Sequence, residues 1–260
     1  MRRKSIWSPL YLTIVLILMY LPIAVVVLYS FNANTNRYPT AFTGFSLQFY
    51  QALFKDTKGL VAALRTSLEL AGLSCGISMV IGTLGAVALA GRKFRGQGAL
   101  ENLSIMPIMV PEIILGMAFL AVFTAVGFRF GLMTLVLAHV TFCTPYIFLI
   151  VKGRLQGMDP ALAEASRDLG ASPVRTFFEI TLPLIMPAVL SGVTLAFAMS
   201  MDDFVISFFV TGATTTTLPL KIYASVKTGV SLQVNALCTL MLATVAIVMA
   251  LRQIFLKRDN

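Results

Sequence analysis

Six long apolar stretches divide this chain of 260 residues and limit what it can fold into. A helix needs about 20 residues to cross the hydrocarbon core of a bilayer, and each stretch has about that length. A soluble domain of this size would not be 58% hydrophobic and only 12% charged. The stretches cover about Leu10–Tyr29, Thr66–Ala90, Leu103–Phe123, Leu132–Val151, Leu184–Val210 and Val234–Phe255. We therefore predict an all-α integral membrane protein with six transmembrane helices.

Lysine and arginine are concentrated in alternate connecting segments. Short cytoplasmic loops carry an excess of these residues, so the asymmetry places both termini in the cytoplasm. The cytoplasmic segments then hold most of the 20 basic residues: Arg2, Arg3, Lys4, Arg92, Lys93, Arg95, Lys152, Arg154, Arg167, Arg175, Arg252, Lys257 and Arg258. The outer segments hold Arg37, Lys55, Lys58, Arg65, Arg129, Lys221 and Lys227. Membrane topology thus explains the net charge of +9 and replaces nucleic-acid binding as its cause.

The cytoplasmic segment between the fourth and fifth stretches predicts two short helices at an angle. Asp159-Pro160 is typical of a helix start, and Gly170 is typical of the left-handed residue after a helix end. Ser172-Pro173 starts a second helix, which we expect to end before Pro183 because the residue preceding a proline is disfavoured in the α region. Both helices have an apolar face, which indicates that something docks there.

A polar segment after the first stretch predicts another short helix. Its apolar residues Phe45, Phe49, Tyr50, Leu53 and Phe54 follow Ser46, a candidate N-cap, at helical spacing. Two interpretations are open. The helix lies on the outer membrane interface, or it packs on the bundle as an ordinary loop helix.

The sequence contains no motif for nucleotide binding or catalysis. It has no G-x-x-x-x-G-K-[ST] phosphate loop, no H-E-x-x-H pair and no serine nucleophile elbow. We expect Cys75, Cys143 and Cys238 to serve packing, and His139 to hydrogen-bond to a neighbouring helix. We therefore predict a chain that is not an enzyme and binds no metal or cofactor itself. If it is a pump, its energy comes from another chain.

Part of the cytoplasmic segment has a recognisable pattern. Glu164-Ala165-Ser166, Gly170 and Ile180-Thr181-Leu182-Pro183 resemble the EAA loop of type I ABC importer permeases, EAA–x3–G–x9–I–x–LP, with Ser166 at a position where the family usually has alanine. The resemblance implies a single permease domain over residues 1–260 in the bacterial cytoplasmic membrane. It also implies that the loop 152–183 is the coupling helix hairpin, which sits in a cleft of the ATP-binding subunit. The coupling residues would be Glu164, Ala165, Ser166, Gly170, Ile180, Leu182 and Pro183.

Other motifs resemble the spermidine/putrescine permeases, and most closely their second permease subunit. They are Tyr29-Ser30-Phe31-Asn32, His139-Val140-Thr141-Phe142-Cys143, Ser200-Met201-Asp202-Asp203, Leu218-Pro219-Leu220-Lys221-Ile222-Tyr223, Gly229-Val230-Ser231 and Val234-Asn235-Ala236-Leu237. The resemblance implies polyamine import by alternating access. It also implies three partners: a second, homologous permease, a dimer of ATP-binding subunits that holds ATP and Mg²⁺, and an extracytoplasmic polyamine-binding protein.

Acidic residues inside the apolar stretches are the candidate substrate pathway. Glu112 follows two prolines in the third stretch, and Asp202-Asp203 lies in the fifth. Ionisable residues cost about 2.5–3.5 kcal/mol in a membrane helix and usually face a cavity or a partner. Adjacent helical residues point about 100° apart, so one aspartate at most faces the pathway squarely, with a slight preference for Asp203. The alternative for these residues is interhelical hydrogen bonding or closure of an outer gate.

Two other functions remain open on the sequence. One is an ABC permease for another solute, such as thiamine, an amino-acid derivative or a metal chelate. The other is a secondary transporter or channel that needs no ATPase, in which the acidic residues relay protons or cations. The sequence lacks a convincing internal repeat of the kind many secondary transporters have.

Overall fold

The computed structural model describes residues 7–36, 41–56, 59–90, 94–159, 161–229 and 231–258. Within these ranges the chain is helical apart from its connecting segments and one isolated bridge between Asn32 and Phe45, which confirms the all-α class. The helices are α1 Trp7–Ser30, α2 Gln48–Lys55, α3 Leu60–Ala90, α4 Gln97–Met109, α5 Glu112–Val126, α6 Leu132–Gln156, α7 Ala161–Asp168, α8 Pro173–Thr176, α9 Leu182–Asp202, α10 Val205–Val210, α11 Leu218–Thr228 and α12 Leu232–Arg258. The basic tip 2–4, Arg92, Lys93 and the helix start expected at Pro160 lie outside the described residues.

Five of the described helical segments are long and apolar enough to cross a membrane, and a sixth span exists if α4 and α5 form one. These two helices meet at a bend of 106°. Val110 is extended there, with φ −82° and ψ 129°, because it precedes Pro111. The third apolar stretch of the sequence is therefore a broken helix, as its prolines indicated.

The fifth span differs from the prediction at its outer end. The sequence predicted one helix as far as Val210, but α9 ends at Asp202 and α10 begins at Val205. The carboxylate of Asp203 accepts hydrogen bonds from the backbone N–H groups of Ile206 and Ser207, at 3.1 and 2.8 Å. The carboxylate takes the place of the backbone carbonyls that would accept from these N–H groups in a continuous helix, which explains the break.

The same span also differs at its other end. The second helix of the loop does not end before Pro183, because a π-helical turn over Phe177–Thr181 joins α8 to α9. Leu182 keeps helical angles although it precedes a proline, and its N–H donates to the carbonyl of Phe177, five residues earlier. The wider turn accommodates Pro183, which has no N–H to donate and would clash with a regular α-turn. Pro173–Asp202 is consequently one continuous helical segment.

The contacts within the chain group its residues into two compact units, and the single permease domain over residues 1–260 stays a prediction. The first unit comprises Met1–Ala62 and Lys221–Asn260, and in it both α1 and α2 pack against α12. Leu53 of α2 is buried, so this helix packs on the bundle of its own unit along one face. Ser46 bonds to the N–H of Gln48, but Leu47 holds the N-cap position, so the predicted cap was wrong by one residue.

The second unit, Ala63–Leu220, is built around α6. This helix packs against α4, α9 and α10, and Ile147 lies fully buried on it. A Cβ atom added to Gly82 of α3 would lie 3.1 Å from Ile147 Cβ, and one added to Gly192 of α9 would lie 3.1 Å from Ile147 Cα. Small residues thus let two helices approach α6 closely. Cys75 and Cys143 are free thiols in this core, as the sequence predicted.

Candidate functional site

A cavity of about 190 Å³ lies in the second unit, between the two helix breaks. The ends of α4 and α5 form one side, the α9–α10 junction forms another, and α6 contributes a wall. The lining residues that carry polar atoms on their side chains are Glu112, Tyr146, Asp202 and Asp203. The fold therefore brings together all three carboxylates that the sequence singled out, although Glu112 lies about 90 residues before the adjacent Asp202 and Asp203.

Asp202 and Asp203 have different surroundings, although they are adjacent. Asp202 is the last residue of α9 and is exposed. The side chain of Asp203 is only 5% exposed, and it accepts a third hydrogen bond, from the Ser207 hydroxyl at 2.7 Å. The accessible carboxylates of the cavity are thus Glu112 and Asp202. The sequence had slightly favoured Asp203 over Asp202.

His139 lies on α6 with no exposed surface and contacts the same junction. Its Nδ1 is 2.8 Å from the Ser200 hydroxyl, and its Nε2 is 3.1 Å from the Ser207 hydroxyl and 3.4 Å from Asp203 Oδ2. This confirms that His139 hydrogen-bonds to neighbouring helices. Sequence reasoning missed the pairing with Asp203, although Ser200, Asp203 and Ser207 recur at helical spacing and mark one polar face.

Aromatic side chains from α6 complete the cavity wall. Phe142 and Tyr146 line the cavity one turn apart, and the Phe142 ring centroid lies 4.9 Å from that of His139. Sequence reasoning did not single out Tyr146. Its position seven residues after His139 places it on the same face of the helix and was the available signal. An arrangement of carboxylates beside aromatic rings suits an organic cation.

The hairpin α7–α8 has the glycine turn and the serine cap that its sequence predicted. Gly170 has φ +85°, in the left-handed region, and Ser172 caps α8 by accepting from the N–H of Arg175 at 3.3 Å. Ser166, which departs from the alanine of the motif, has its hydroxyl 3.1 Å from the buried Thr176 hydroxyl across the hairpin. The additional oxygen therefore has a partner and ties α7 to α8.

The hairpin also presents apolar surface. Leu169 is 90% exposed, Val174 is 66% exposed and Phe178 is 59% exposed. Large apolar side chains clustered on a short polar segment are typical of a protein interaction site. The hairpin is joined without a break to α9, which ends in Asp202 at the cavity.

Residues 78–258 match the protein family described as "Binding-protein-dependent transport system inner membrane component". The chain belongs to this family. This permease family confirms the prediction of a multi-pass transport subunit of the inner membrane that is not itself an enzyme. The description of the family states that this transport depends on a binding protein, which is one of the predicted classes of partner.

Several relatives of this permease are named for their cargo. This chain is 39% identical over 253 residues to the putrescine transport system permease protein PotI of Escherichia coli K12. The match covers 94% of this chain and 89% of the relative. It is 40% identical over 242 residues to the spermidine/putrescine transport system permease protein PotC of Haemophilus influenzae, with 93% of each chain covered. It is 38% identical over 250 residues to PotC of Escherichia coli K12, with 96% and 93% covered.

Solved structures show the same fold at low sequence identity. A chain of a bacterial ABC transporter involved in alginate import matches with a TM-score of 0.74 and 13% identity, covering 98% of this permease and 96% of that chain. A chain of the inward-facing MetNI methionine ABC transporter matches with a TM-score of 0.61 and 21% identity, covering 77% and 95%. These likenesses establish the architecture of an ABC importer permease.

Proposed function

We propose that this permease moves polyamines, such as putrescine and spermidine, across the bacterial cytoplasmic membrane as part of an ATP-driven importer. The observation that carries the proposal is the cavity that brings Glu112, Asp202 and Asp203 together beside aromatic walls. A polyamine is a flexible chain of ammonium groups and methylene spacers, so it suits carboxylates separated by aromatic and apolar surface. The names of the relatives at 38% to 40% identity support the same cargo.

The accessible carboxylates carry the contact with substrate in this proposal. Glu112 and Asp202 bind ammonium groups, and the rings of Phe142 and Tyr146 face the methylene spacers. Asp203 adds negative charge but is held by its own hydrogen bonds, so its main effect is on the shape of the junction.

The complex that this proposal requires has four kinds of subunit. A second, homologous permease completes the pathway, a dimer of ATP-binding subunits binds ATP and Mg²⁺, and an extracytoplasmic polyamine-binding protein delivers the cargo. This chain binds no cofactor itself. Both termini and the loop 152–183 lie in the cytoplasm, in the orientation that the basic residues favour.

Coupling to the ATPase runs through the hairpin. The motif residues Glu164, Ala165, Ser166, Gly170, Ile180, Leu182 and Pro183 lie on α7, on the turn and on the start of the continuous helix. Exposed apolar side chains of the hairpin dock into the ATPase, and closure of the ATPase dimer moves the hairpin. Because the second arm of the hairpin continues into α9, that movement reaches the cavity and shifts the balance between two arrangements of the spans.

Membership of a binding-protein-dependent family argues against the secondary transporter or channel, which needs no partner.

A competition assay tests the remaining alternative, an ABC permease for another solute. The complete complex in liposomes, with ATP inside, should take up radiolabelled putrescine or spermidine. Unlabelled polyamines should compete, and thiamine or amino acids should not. Uptake of one of those other solutes, with none of either polyamine, would overturn the proposal. Vesicles without ATP are the control.

A further inference from the structure

A buried polar network surrounds His139 in the core of the second unit. It joins α6 to the end of α9 and to α10 through Ser200, Asp203 and Ser207. His139, Ser200 and Ser207 are buried, and the carboxylate of Asp203 is 5% exposed. Buried polar groups are stable only when their hydrogen bonds are satisfied, so the directions of these bonds can be worked out.

The position of one proton follows from the Ser207 hydroxyl. A serine hydroxyl has a single proton to donate, and this one goes to Asp203 Oδ2, since an ionised carboxylate only accepts. The Ser207 oxygen can then only accept from His139 Nε2, 3.1 Å away. Nε2 must therefore carry a proton, and His139 donates it to Ser207. The same nitrogen lies 3.4 Å from Asp203 Oδ2, so the polarised N–H also faces the carboxylate.

We propose that His139 is a positioning residue, whose Nε2–H holds Asp203 and Ser207 in place and so fixes the α9–α10 break that forms one side of the cavity. Without this donor the buried Ser207 oxygen would lose its partner and the carboxylate would lose the nearby N–H, so the junction would move to find others. Asp202 directly precedes the junction, so its carboxylate would move as well. The inference rests on the proposed function for the meaning of the cavity, but the network itself does not depend on the cargo.

Three substitutions separate positioning from packing. His139→Gln places an amide N–H at about the reach of Nε2, His139→Asn places one at about the reach of Nδ1, and His139→Leu fills the space without any donor. In the complete complex, His139→Gln should keep the KM for polyamine uptake within about threefold of the wild type. His139→Asn and His139→Leu should raise KM about ten- to hundredfold, the effect of losing a hydrogen bond to a charged group. The maximal rate should change less than KM.

Thermal unfolding of the purified complex tests the same inference without any cargo. His139→Asn and His139→Leu should lower Tm by a few degrees, and His139→Gln should restore most of that loss. If His139→Leu matched the wild type in KM and Tm, or if His139→Gln were as impaired as His139→Leu, the positioning role would be wrong. If the wild-type complex took up no polyamine, the proposed function would fail, and the order of the Tm values would still decide the role of His139.

Discussion

The three carboxylates at the cavity differ in surroundings, and the difference determines what each can do. Asp202 is exposed at the end of α9 and is available to a ligand. Asp203 bonds to two backbone N–H groups and a hydroxyl. Glu112 is the first residue of α5, where the positive end of the helix dipole stabilises a negative charge. One acidic cluster therefore contains two candidate ligands and one carboxylate that is bound by the following turn of its own chain.

Replacing each aspartate with asparagine should separate these roles. Asp202→Asn removes an accessible charge, so the KM for polyamine uptake should rise about tenfold while Tm is unchanged. Asp203→Asn removes acceptor capacity from a buried group with three donors, so the complex should lose about 1–3 kcal/mol of stability. Uptake kinetics and thermal unfolding measure the two effects. Glu69→Gln is the control, since Glu69 is paired with Arg65 on the exposed side of α3. Reversed effects for the two aspartates would refute the assignment.

The sequence singled out three carboxylates that line one cavity, but not how they pair. Charged residues in apolar stretches are conspicuous, so Glu112, Asp202 and Asp203 could be chosen from their positions alone. Asp203 is held by bonds to the turn that follows it, and it lies 3.4 Å from His139, which is 64 residues earlier. These bonds depend on the break after Asp202, so a choice between adjacent aspartates that assumed a continuous helix had no access to them.

At the scale of elements, the segment from the hairpin to the cavity is the main mechanical feature. Pro173–Asp202 forms one helical segment with a π-helical turn near its start. Only the hairpin turn at Gly170 separates this segment from α7. In the coupling that we propose, motion of α7 reaches the cavity only if the conformation at Gly170 is maintained.

Gly170→Val should uncouple transport from ATP hydrolysis. A residue with a Cβ atom at φ +85° costs roughly 1–2 kcal/mol, and nothing lies within 4 Å of the added carbon, so the effect would come from the backbone and not from a clash. ATP-driven uptake should fall severalfold or more, while membrane insertion stays normal. Ala171→Val adds the same side chain one residue later, at a negative φ, and should have little effect. Normal uptake by the Gly170→Val complex would exclude the turn as a coupling hinge.

Gly192→Leu should destabilise the second unit. The added side chain would enter the contact between α9 and α6, where a Cβ atom already lies 3.1 Å from Ile147 Cα. Overpacking of this kind costs about 1–3 kcal/mol, which thermal unfolding would detect as a lower Tm. Ser191→Leu is the matched control because Ser191 is exposed on the same helix. Equal Tm values for the two variants would contradict the close packing.

Several limits that depend on local signals were predicted correctly. The left-handed turn at Gly170 that follows α7, the cap of α8 at Ser172 and the break at Pro111 follow from the preferences of glycine, serine and proline. The passage of a helix through Pro183 was not predictable, because a π-helical turn is rare and depends on how α8 packs. The early end of α9 was missed because it requires a bond from Asp203 to the following turn.

At the scale of the whole molecule, exposed apolar surface indicates what the chain needs around it. The buried share of the spanning segments is 56% in α6, but it is 17% in α12 and 0% in α1. Apolar helices with so little buried surface require lipid or partner subunits around them. This agrees with a membrane permease that works as one subunit of a larger complex.

The most direct test of the central claim is ATP-driven polyamine uptake by the complete complex in liposomes, with this chain carrying Glu112→Gln and Asp202→Asn together. Both substitutions keep the side-chain size and remove only charge, so assembly and basal ATP hydrolysis should remain. We expect at least a tenfold loss of uptake efficiency relative to the wild type, about 1.4 kcal/mol or more. Undiminished uptake by the doubly substituted complex would show that polyamines do not pass through this cavity.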